Sequence, residues 1–345
     1  MGKLTEMIKR HQIIAFFILT FAITWGLGFS YSASQVKGIF LLYPVASLAT
    51  CGPALAGIII TVVISKLPRQ GSRRTAWLAF LVAWVVVTLV WLAYLLLNKL
   101  APFSIAVAIL SLLITIPVAY VVSMAYSRLP EVKNYLSSLI RLRGVWGWSL
   151  LALVFYPALL LLSIPISKLL GRQPIATYQA TYLFPEISLS LVSLIVVKFL
   201  YQFFFYNAVG EEVGWRGFAL PRLQASTSPL IAALIIACFW IPWHFFLWQS
   251  QGQPVLTRNF WINTNSYLII LGSIVTGWFY NRSQGSILVA GIVHAAENTT
   301  ARILLISDWN GYLLLKVIVV LMLILIDHMW KKLPPTHPAM YRELT

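Results

Sequence analysis

Long apolar runs separated by short basic segments fill this sequence from one end to the other. The run from Ile13 to Tyr31, for example, contains no charged residue. A helix needs about 20 apolar residues to cross the hydrocarbon core of a bilayer. By that test, spans have approximate centres at Phe21, Leu55, Val87, Leu113, Leu159, Tyr201, Ala237, Val275, Ala295 and Val320. The sequence therefore predicts an all-α, polytopic transmembrane helix bundle of about ten spans.

The composition excludes an ordinary soluble domain and argues against a nucleic-acid-binding protein. Hydrophobic residues make up 60% of the chain and charged residues 10%, against roughly 45–50% and about 25% in soluble domains. The net charge of +16 lies in short clusters between apolar runs rather than along one polar face. Both cysteines, Cys51 and Cys238, lie inside apolar runs, so we expect no disulfide framework and no CxxC metal site. The lipid bilayer is the expected surroundings of this chain, with no nucleic-acid partner.

The basic clusters also predict an orientation, because cytoplasmic loops collect Lys and Arg. Alternate loops fall into a basic set and a set with few basic residues. The basic set holds Lys3, Lys9, Arg10, Lys66, Arg69, Arg73, Arg74, Arg128, Lys133, Arg141, Arg143, Arg222, Arg282, Lys331, Lys332 and Arg342. The other set holds Lys37, Lys99, Lys168, Arg172 and Arg258. We expect a multi-pass protein of the plasma membrane with both termini in the cytoplasm and its first span retained as an anchor.

The simplest organisation divides the chain into three parts. Residues 1–185 would form about five N-terminal membrane helices, residues 186–330 the membrane helices with polar motifs, and residues 331–345 a cytoplasmic tail.

Three acidic residues have unusual positions. Glu211, Glu212 and Glu297 lie within or beside the later apolar segments, whereas the other acids lie at termini, loops or span ends. A charged side chain at membrane depth costs about 2.5–3.5 kcal/mol on insertion scales. A functional site is therefore the default interpretation of these residues.

The segment from Asn207 to Gly217 contains two adjacent glutamates and an arginine. On a helix, Glu212 and Arg216 are four residues apart on one face, where they can pair. Glu211 is turned about 100° from Glu212 and remains available to another neighbour. A plainer interpretation is that both glutamates mark the cytoplasmic end of the sixth span.

Two later spans each carry a histidine. Trp240 and His244 are four residues apart on one helical face, and the same spacing relates His294 to Asn298. Taken alone, His244 also fits an interfacial belt of aromatic residues. A desolvated carboxylate beside imidazole can activate water, and imidazole and carboxamide groups can donate hydrogen bonds to an oxyanion. Three polar clusters on three spans therefore favour a hydrolase over coincidence.

These clusters resemble the motifs of the CPBP (CAAX protease and bacteriocin-processing, or Abi) family of intramembrane endopeptidases, relatives of the type II CAAX prenyl endopeptidase. The motifs EExxxR, FxxxH and HxxxN match, in this order, Glu211, Glu212 and Arg216, then Trp240 and His244, then His294 and Asn298. Trp240 stands where the motif has Phe, which preserves an aromatic packing role. The resemblance extends from about Glu186 to Ile306.

The resemblance implies an endopeptidase that cleaves a peptide bond near the membrane surface, in a water-accessible cavity inside the bundle. Glu211 would be the general base that activates water with help from His244, and His294 and Asn298 would stabilise the oxyanion. The supporting residues would be Glu212, Arg216 and Trp240. Its partner would be a membrane peptide or protein, with prenylated CAAX ends as one candidate.

Alternatives stay open for the cofactor and for the function. Glu211, His244 and His294 can equally ligate zinc, because two histidines and one glutamate leave a fourth position for water. We favour the metal-free scheme. In a proton- or ion-coupled transporter these residues and Glu297 would form an ion path, although the first five spans lack charged groups. A non-catalytic immunity or scaffold protein would retain the fold without the activity.

Overall fold

The computed structural model describes residues 2–36, 43–98, 104–172, 176–178, 191–250, 264–306 and 309–341. It is a bundle of α-helices, as predicted. The helices are α1 (Lys3–Arg10), α2 (Gln12–Val36), α3 (Tyr43–Thr50), α4 (Gly52–Ile64), α5 (Arg73–Leu97), α6 (Ile105–Ser123), α7 (Pro130–Ser137), α8 (Trp146–Leu169), α9 (Leu191–Phe205), α10 (Leu220–Gln224), α11 (Pro229–Trp243), α12 (Phe245–Ser250), α13 (Thr264–Arg282), α14 (Ile287–Ile303) and α15 (Asn310–Ile326). Other elements are a 3₁₀ turn (Met124–Tyr126), a π-helix (Asn207–Ala219), and the antiparallel strands β1 (Ala176–Tyr178) and β2 (Leu304–Ile306).

Several predicted features lie outside the described residues. They are the boundary at 185/186 and the residues Lys37, Lys99, Glu186, Arg258 and Arg342.

Each predicted span centre lies in a helix or a helix pair, but ten full-length spans are not confirmed. Among the described residues, five stretches are long and apolar enough to cross a membrane: Gln12–Ser30, Arg73–Leu97, Ile105–Tyr126, Trp146–Leu169 and Pro229–Gln249. A sixth is formed if α9 and the bent segment that follows it, Asn207–Gln224, count as one span. The remaining centres lie in α4, α13, α14 and α15, which are shorter or more polar. Hydropathy thus located these helices without fixing their lengths.

Loops that were predicted to share the cytoplasmic side meet at one end of the bundle. The backbone N–H of Gln70 donates to the carbonyl of Arg128 at 2.7 Å, and that of Leu230 donates to the carbonyl of Met329 at 3.0 Å. Strands β1 and β2 join two loops of the opposite set. The grouping of the loops therefore agrees with the charge pattern, while the side of the membrane that each end faces stays a prediction.

The helix that carries the two glutamates is irregular. It bends by 44° between α9 and the π-helix. The backbone N–H of Glu211 donates to the carbonyl of Tyr206, five residues back, at 3.0 Å. Bonding of this kind defines a π-helix, a form that is rare and frequent at functional sites. All 13 residues of this π-helix are buried, so its polar side chains face other helices.

Two glycines allow the neighbouring helices to approach the π-helix closely. A Cβ atom at Gly214 would overlap the backbone of Pro53 in α4, and one at Gly291 in α14 would overlap Ala208. Small residues permit this close approach of helix backbones in membrane bundles. The two contacts place α4 and α14 directly against the segment that carries Glu211 and Glu212.

Candidate active site

Three neighbouring elements carry the residues of the predicted motifs. The π-helix contributes the two glutamates and the arginine. The last turn of α11 contributes the motif tryptophan, and the first histidine directly follows the end of this helix. Helix α14 contributes the second histidine and the asparagine. In chain order these residues are Glu211, Glu212, Arg216, Trp240, His244, His294 and Asn298.

Glu212 joins two of the motifs. Nη1 of Arg216 donates to its Oε1 at 2.8 Å, and Nδ1 of His294 lies 2.7 Å from the same oxygen. The side chains of Glu212 and Arg216 are fully buried. Nη2 of Arg216 also donates to Oγ of Ser273 on α13 at 3.2 Å. The predicted ion pair is therefore present. Further hydrogen bonds of its two members connect the π-helix to α13 and α14.

Glu211 faces other neighbours, as its rotation from Glu212 predicted. Nε1 of Trp240 donates to its Oε2 at 2.6 Å, and Nδ2 of Asn207 donates to its Oε1 at 3.4 Å. The residue is 3% exposed, and no cation pairs with it within the described ranges. Glu211 is thus a desolvated carboxylate held by neutral donors.

Asn207 belongs to the site although no sequence motif marked it. Its side chain is fully buried, and its Nδ2 lies 3.0 Å from Nε2 of His294 in addition to its bond with Glu211. Its Oδ1 has no hydrogen-bond partner among the residues that the structure describes. The signal in the sequence was its spacing of four residues from Glu211, the same spacing that relates the other pairs. Asn207 connects Glu211 with His294.

Both ring nitrogens of His294 have polar partners. Nδ1 faces a carboxylate oxygen of Glu212, which only accepts, so this nitrogen carries a hydrogen. In the neutral ring, Nε2 is then the acceptor for the amide of Asn207. Neither nitrogen is directed at a metal position, and the described residues contain no group of three His, Cys, Asp or Glu arranged to hold a metal ion. Glu211, His244 and His294 are thus not grouped as zinc ligands in the described structure, and the choice between the zinc and the metal-free scheme stays a prediction.

His244 is connected to the site through Trp240. Its Nδ1 donates to the carbonyl of Trp240 at 2.8 Å, and its ring stacks on Trp248 with centroids 5.2 Å apart. In the described structure it forms no hydrogen bond with Glu211 or His294. Because Nδ1 carries the hydrogen of the neutral ring, Nε2 is left as an acceptor.

Asn298 lies on α14 four residues after His294 and is half-buried. Its side chain makes no hydrogen bond to any other residue that the structure describes. The structure therefore places Asn298 on the same helix as His294 but outside the hydrogen-bonded network.

A cavity lies beside the site rather than in it. Its volume is about 440 Å³, and it is lined by Gly217 and Arg222 together with residues of the loops that meet at this end of the bundle. Glu211 and His294 do not line it, and they are 3% and 6% exposed. A water-accessible cavity at the predicted catalytic residues therefore stays a prediction.

Glu297 belongs to a second polar cluster. It pairs with Nζ of Lys316, a fully buried residue of α15, and the hydroxyl of Tyr312 donates to its Oε1 at 3.2 Å. Nζ of Lys316 also donates to the carbonyl of Leu268 on α13 at 3.2 Å. Glu297, which an ion path would need beside the histidines, is therefore engaged with other residues.

Comparison with known proteins gives two matches. Residues 191–300 match the family model described as "Type II CAAX prenyl endopeptidase Rce1-like". The chain is also 32% identical over 157 residues to CAAX prenyl protease 2 of Methanococcus maripaludis, an alignment that covers 44% of this chain and 55% of that protein. The chain thus spans about half the length of this relative. The segment matched by the family model contains all three polar motifs.

Proposed function

We propose that the chain is an intramembrane endopeptidase, because residues 191–300 match the family model of Rce1-like type II CAAX prenyl endopeptidases. It cleaves a peptide bond near the membrane surface. The observation that carries this proposal is one hydrogen-bonded network, in which Glu212 contacts His294 and Asn207 links His294 to Glu211. It unites two motifs that lie on different helices.

Glu211 is the general base of the proposed reaction. It removes a proton from water while the water oxygen bonds to the peptide carbonyl carbon and an electron pair moves onto the carbonyl oxygen. The proton then passes to the peptide nitrogen as the C–N bond breaks, which yields a carboxylic acid and an amine. The buried position of Glu211 and its lack of a cationic partner in the described structure support this role, because an ion pair would weaken the base. Nε2 of His244 assists as a second proton acceptor.

Asn298 and His294 stabilise the oxyanion in this scheme. The amide of Asn298 makes no hydrogen bond within the described structure, so it is available to donate to a developing negative charge. Nε2 of His294 accepts from Asn207 in the absence of substrate. When it takes up a proton it becomes a donor and exchanges this contact for the oxyanion, since the protonated ring donates through both nitrogens. Glu212 holds the ring of His294 through Nδ1 during this exchange.

Membrane-bound peptides and proteins are the proposed substrate class. The relative of this chain is a CAAX prenyl protease, so prenylated CAAX ends are the first substrates to test. A direct test incubates the purified protein in lipid vesicles with a farnesylated CAAX peptide and follows the products by mass spectrometry. We expect cleavage by the wild type and none by Glu211→Gln. Undiminished cleavage by the variant would overturn the assignment of the base.

Substrates other than CAAX peptides require a wider comparison. Membrane peptides from cells with the wild type are compared with those from cells with Glu211→Gln, and we expect cleavage products that only the wild type makes. Identical peptide patterns, together with no cleavage of the farnesylated peptide, would favour a non-catalytic membrane protein.

The proposed reaction uses no metal ion. We expect the purified protein to contain no stoichiometric zinc and to keep its activity after treatment with a chelator. Loss of activity on chelation and its return on addition of zinc would instead support Glu211, His244 and His294 as ligands.

A further inference from the structure

We propose that Trp240 is a positioning residue that holds the carboxylate of Glu211 through its indole N–H. The inference rests on the proposed role of Glu211 as the base, and it gives Trp240 a function beyond aromatic packing. Trp240 is 3% exposed, and its Nε1 lies 2.6 Å from Oε2 of Glu211. Since an indole nitrogen can only donate, the direction of this hydrogen bond is fixed.

Trp240 lies between the other members of the site. The guanidinium carbon of Arg216 is 4.6 Å from the centroid of its ring, and the ring of His294 meets it edge-on with centroids 5.0 Å apart. Its backbone carbonyl accepts the hydrogen bond from Nδ1 of His244. The contacts with Arg216 and His294 leave the indole little freedom to turn, so two neighbouring side chains restrain the position of its N–H.

The hydrogen bond matters because Glu211 has few other restraints. Its second described donor, Nδ2 of Asn207, is 3.4 Å away, beyond the usual N–H···O range of 2.7–3.2 Å. Hydrogen bonds to an ionised acceptor are short and about twice as strong as neutral ones. The indole therefore fixes Oε2 and leaves Oε1 facing Asn207.

The residue type at position 240 decides whether this restraint exists. The motif that the sequence resembles has Phe at this position, and a phenyl ring packs but cannot donate a hydrogen bond. The site of this chain thus contains a donor to the base that the motif residue does not supply. Phe at this position would leave Oε2 of Glu211 without its described donor.

Two substitutions separate hydrogen bonding from packing. Trp240→Phe keeps an apolar ring and loses the donor. Trp240→His loses bulk but keeps a donor, because its Nε2 is three bonds from Cβ, as is the indole Nε1. We expect kcat to fall by about 10- to 100-fold in Trp240→Phe, with KM within about twofold of the wild type, and to fall less in Trp240→His. If Trp240 only packs, the histidine variant is the less active one, and the proposal fails.

A matched control exists elsewhere in the chain. Nε1 of Trp278 donates to a carboxylate oxygen of Asp327 at 2.5 Å, so Trp278→Phe removes the same kind of hydrogen bond outside the site. We expect this variant to retain the wild-type kcat. An equal fall of kcat in Trp278→Phe and Trp240→Phe would show a general effect of losing an indole donor and overturn the proposal.

A spectroscopic readout tests the contact without activity. In protein labelled with ¹⁵N-tryptophan, the indole signal that is missing from Trp240→Phe belongs to Trp240. We expect this signal to shift in Glu211→Gln, because its acceptor loses its charge, and an unchanged signal would overturn the proposal. Wild-type cleavage by Glu211→Gln would refute the base itself. An inactive Glu211→Gln beside a fully active Trp240→Phe would refute only the positioning role.

Discussion

Oε1 of Glu212 lies 2.7 Å from Nδ1 of His294, and this contact joins two motifs that are 82 residues apart in the chain. The same oxygen accepts a hydrogen bond from Arg216. Glu211, the preceding residue, accepts hydrogen bonds only from neutral donors in the described structure. Two adjacent glutamates of the same helix therefore have different environments, one ionic and one neutral.

This difference predicts that substitutions of the two glutamates destabilise the protein to unequal extents. Glu212→Gln leaves the fully buried guanidinium of Arg216 without a counter-charge, which should cost about 3–5 kcal/mol of unfolding free energy. Glu211→Gln keeps an amide oxygen to accept from Trp240 and removes no ion pair, so it should cost about 1 kcal/mol or less. Both variants should be inactive. Thermal unfolding in detergent measures the difference, and equal destabilisation by the two substitutions would contradict it.

Asn207→Ala should impair catalysis more than folding. The change removes the amide that links Glu211 to His294, and we expect kcat to fall by about tenfold or more, the equivalent of one hydrogen bond to a charged group. The matched control is Asn281→Ala, which removes a buried amide bonded to Gln224 at 2.8 Å. The two variants should lose similar stability. A wild-type kcat for Asn207→Ala would exclude Asn207 from the catalytic network.

The sequence predicted the parts of the site that depend on local spacing. The pairing of Glu212 with Arg216 follows from a separation of four residues, and the different direction of Glu211 follows from helix rotation. The polar motifs could be recognised because ionisable groups are rare in membrane spans. The bond between Trp240 and Glu211 joins two helices, and helix spacing cannot predict which side chains meet across such an interface.

The fold was predicted in a similar way. Hydropathy located the helices at the predicted span centres, because each of these forms from a largely apolar segment. It did not predict the π-helix, because an apolar pattern does not distinguish hydrogen bonds to the fifth preceding residue from the usual α-helical bonds to the fourth. Nor did it predict full spans reliably, because helices such as α4 are largely buried among other helices, so their length is not set by the thickness of the bilayer.

The buried pair of Glu297 and Lys316 should behave as a coupled unit. Glu297→Gln or Lys316→Met alone leaves one charge without its partner and should cost about 3–5 kcal/mol. The double variant removes both charges and should cost less than the sum of the single changes. Chemical or thermal unfolding of the three variants gives the coupling energy. Additive losses would show that the pair contributes no mutual stabilisation.

The activity of the double variant separates the endopeptidase from a transporter. An ion path through Glu297 would be interrupted when this carboxylate is removed. Proteolysis at Glu211 does not require it, so we expect the double variant to cleave membrane peptides at nearly the wild-type rate. Loss of all activity in a folded double variant would contradict this expectation.

Glu131 on α7 should make stability depend on pH. Burial raises the pKa of this carboxyl group, but the N–H groups of Lys66 and Leu67 and the hydroxyl of Ser65 outweigh that effect, and its pKa lies below the ordinary value of 4.5. A carboxyl group whose pKa is lowered by folding stabilises the folded state at pH values above its pKa in the unfolded chain. This stabilisation is lost as the pH falls through the pKa of the group in the folded protein.

Glu131→Gln should therefore lower the unfolding free energy at pH 7 by about 1 kcal/mol, after allowance for solvent screening at this partly exposed site. The difference from the wild type should narrow as the pH is lowered to about 4 and below, because the wild-type carboxylate then becomes protonated. Glu6→Gln is the control, because Glu6 is an exposed carboxylate of α1 without a side-chain hydrogen bond in the described structure. Unfolding midpoints measured across this pH range test the prediction, and a gap between wild type and Glu131→Gln that stays constant with pH would contradict it.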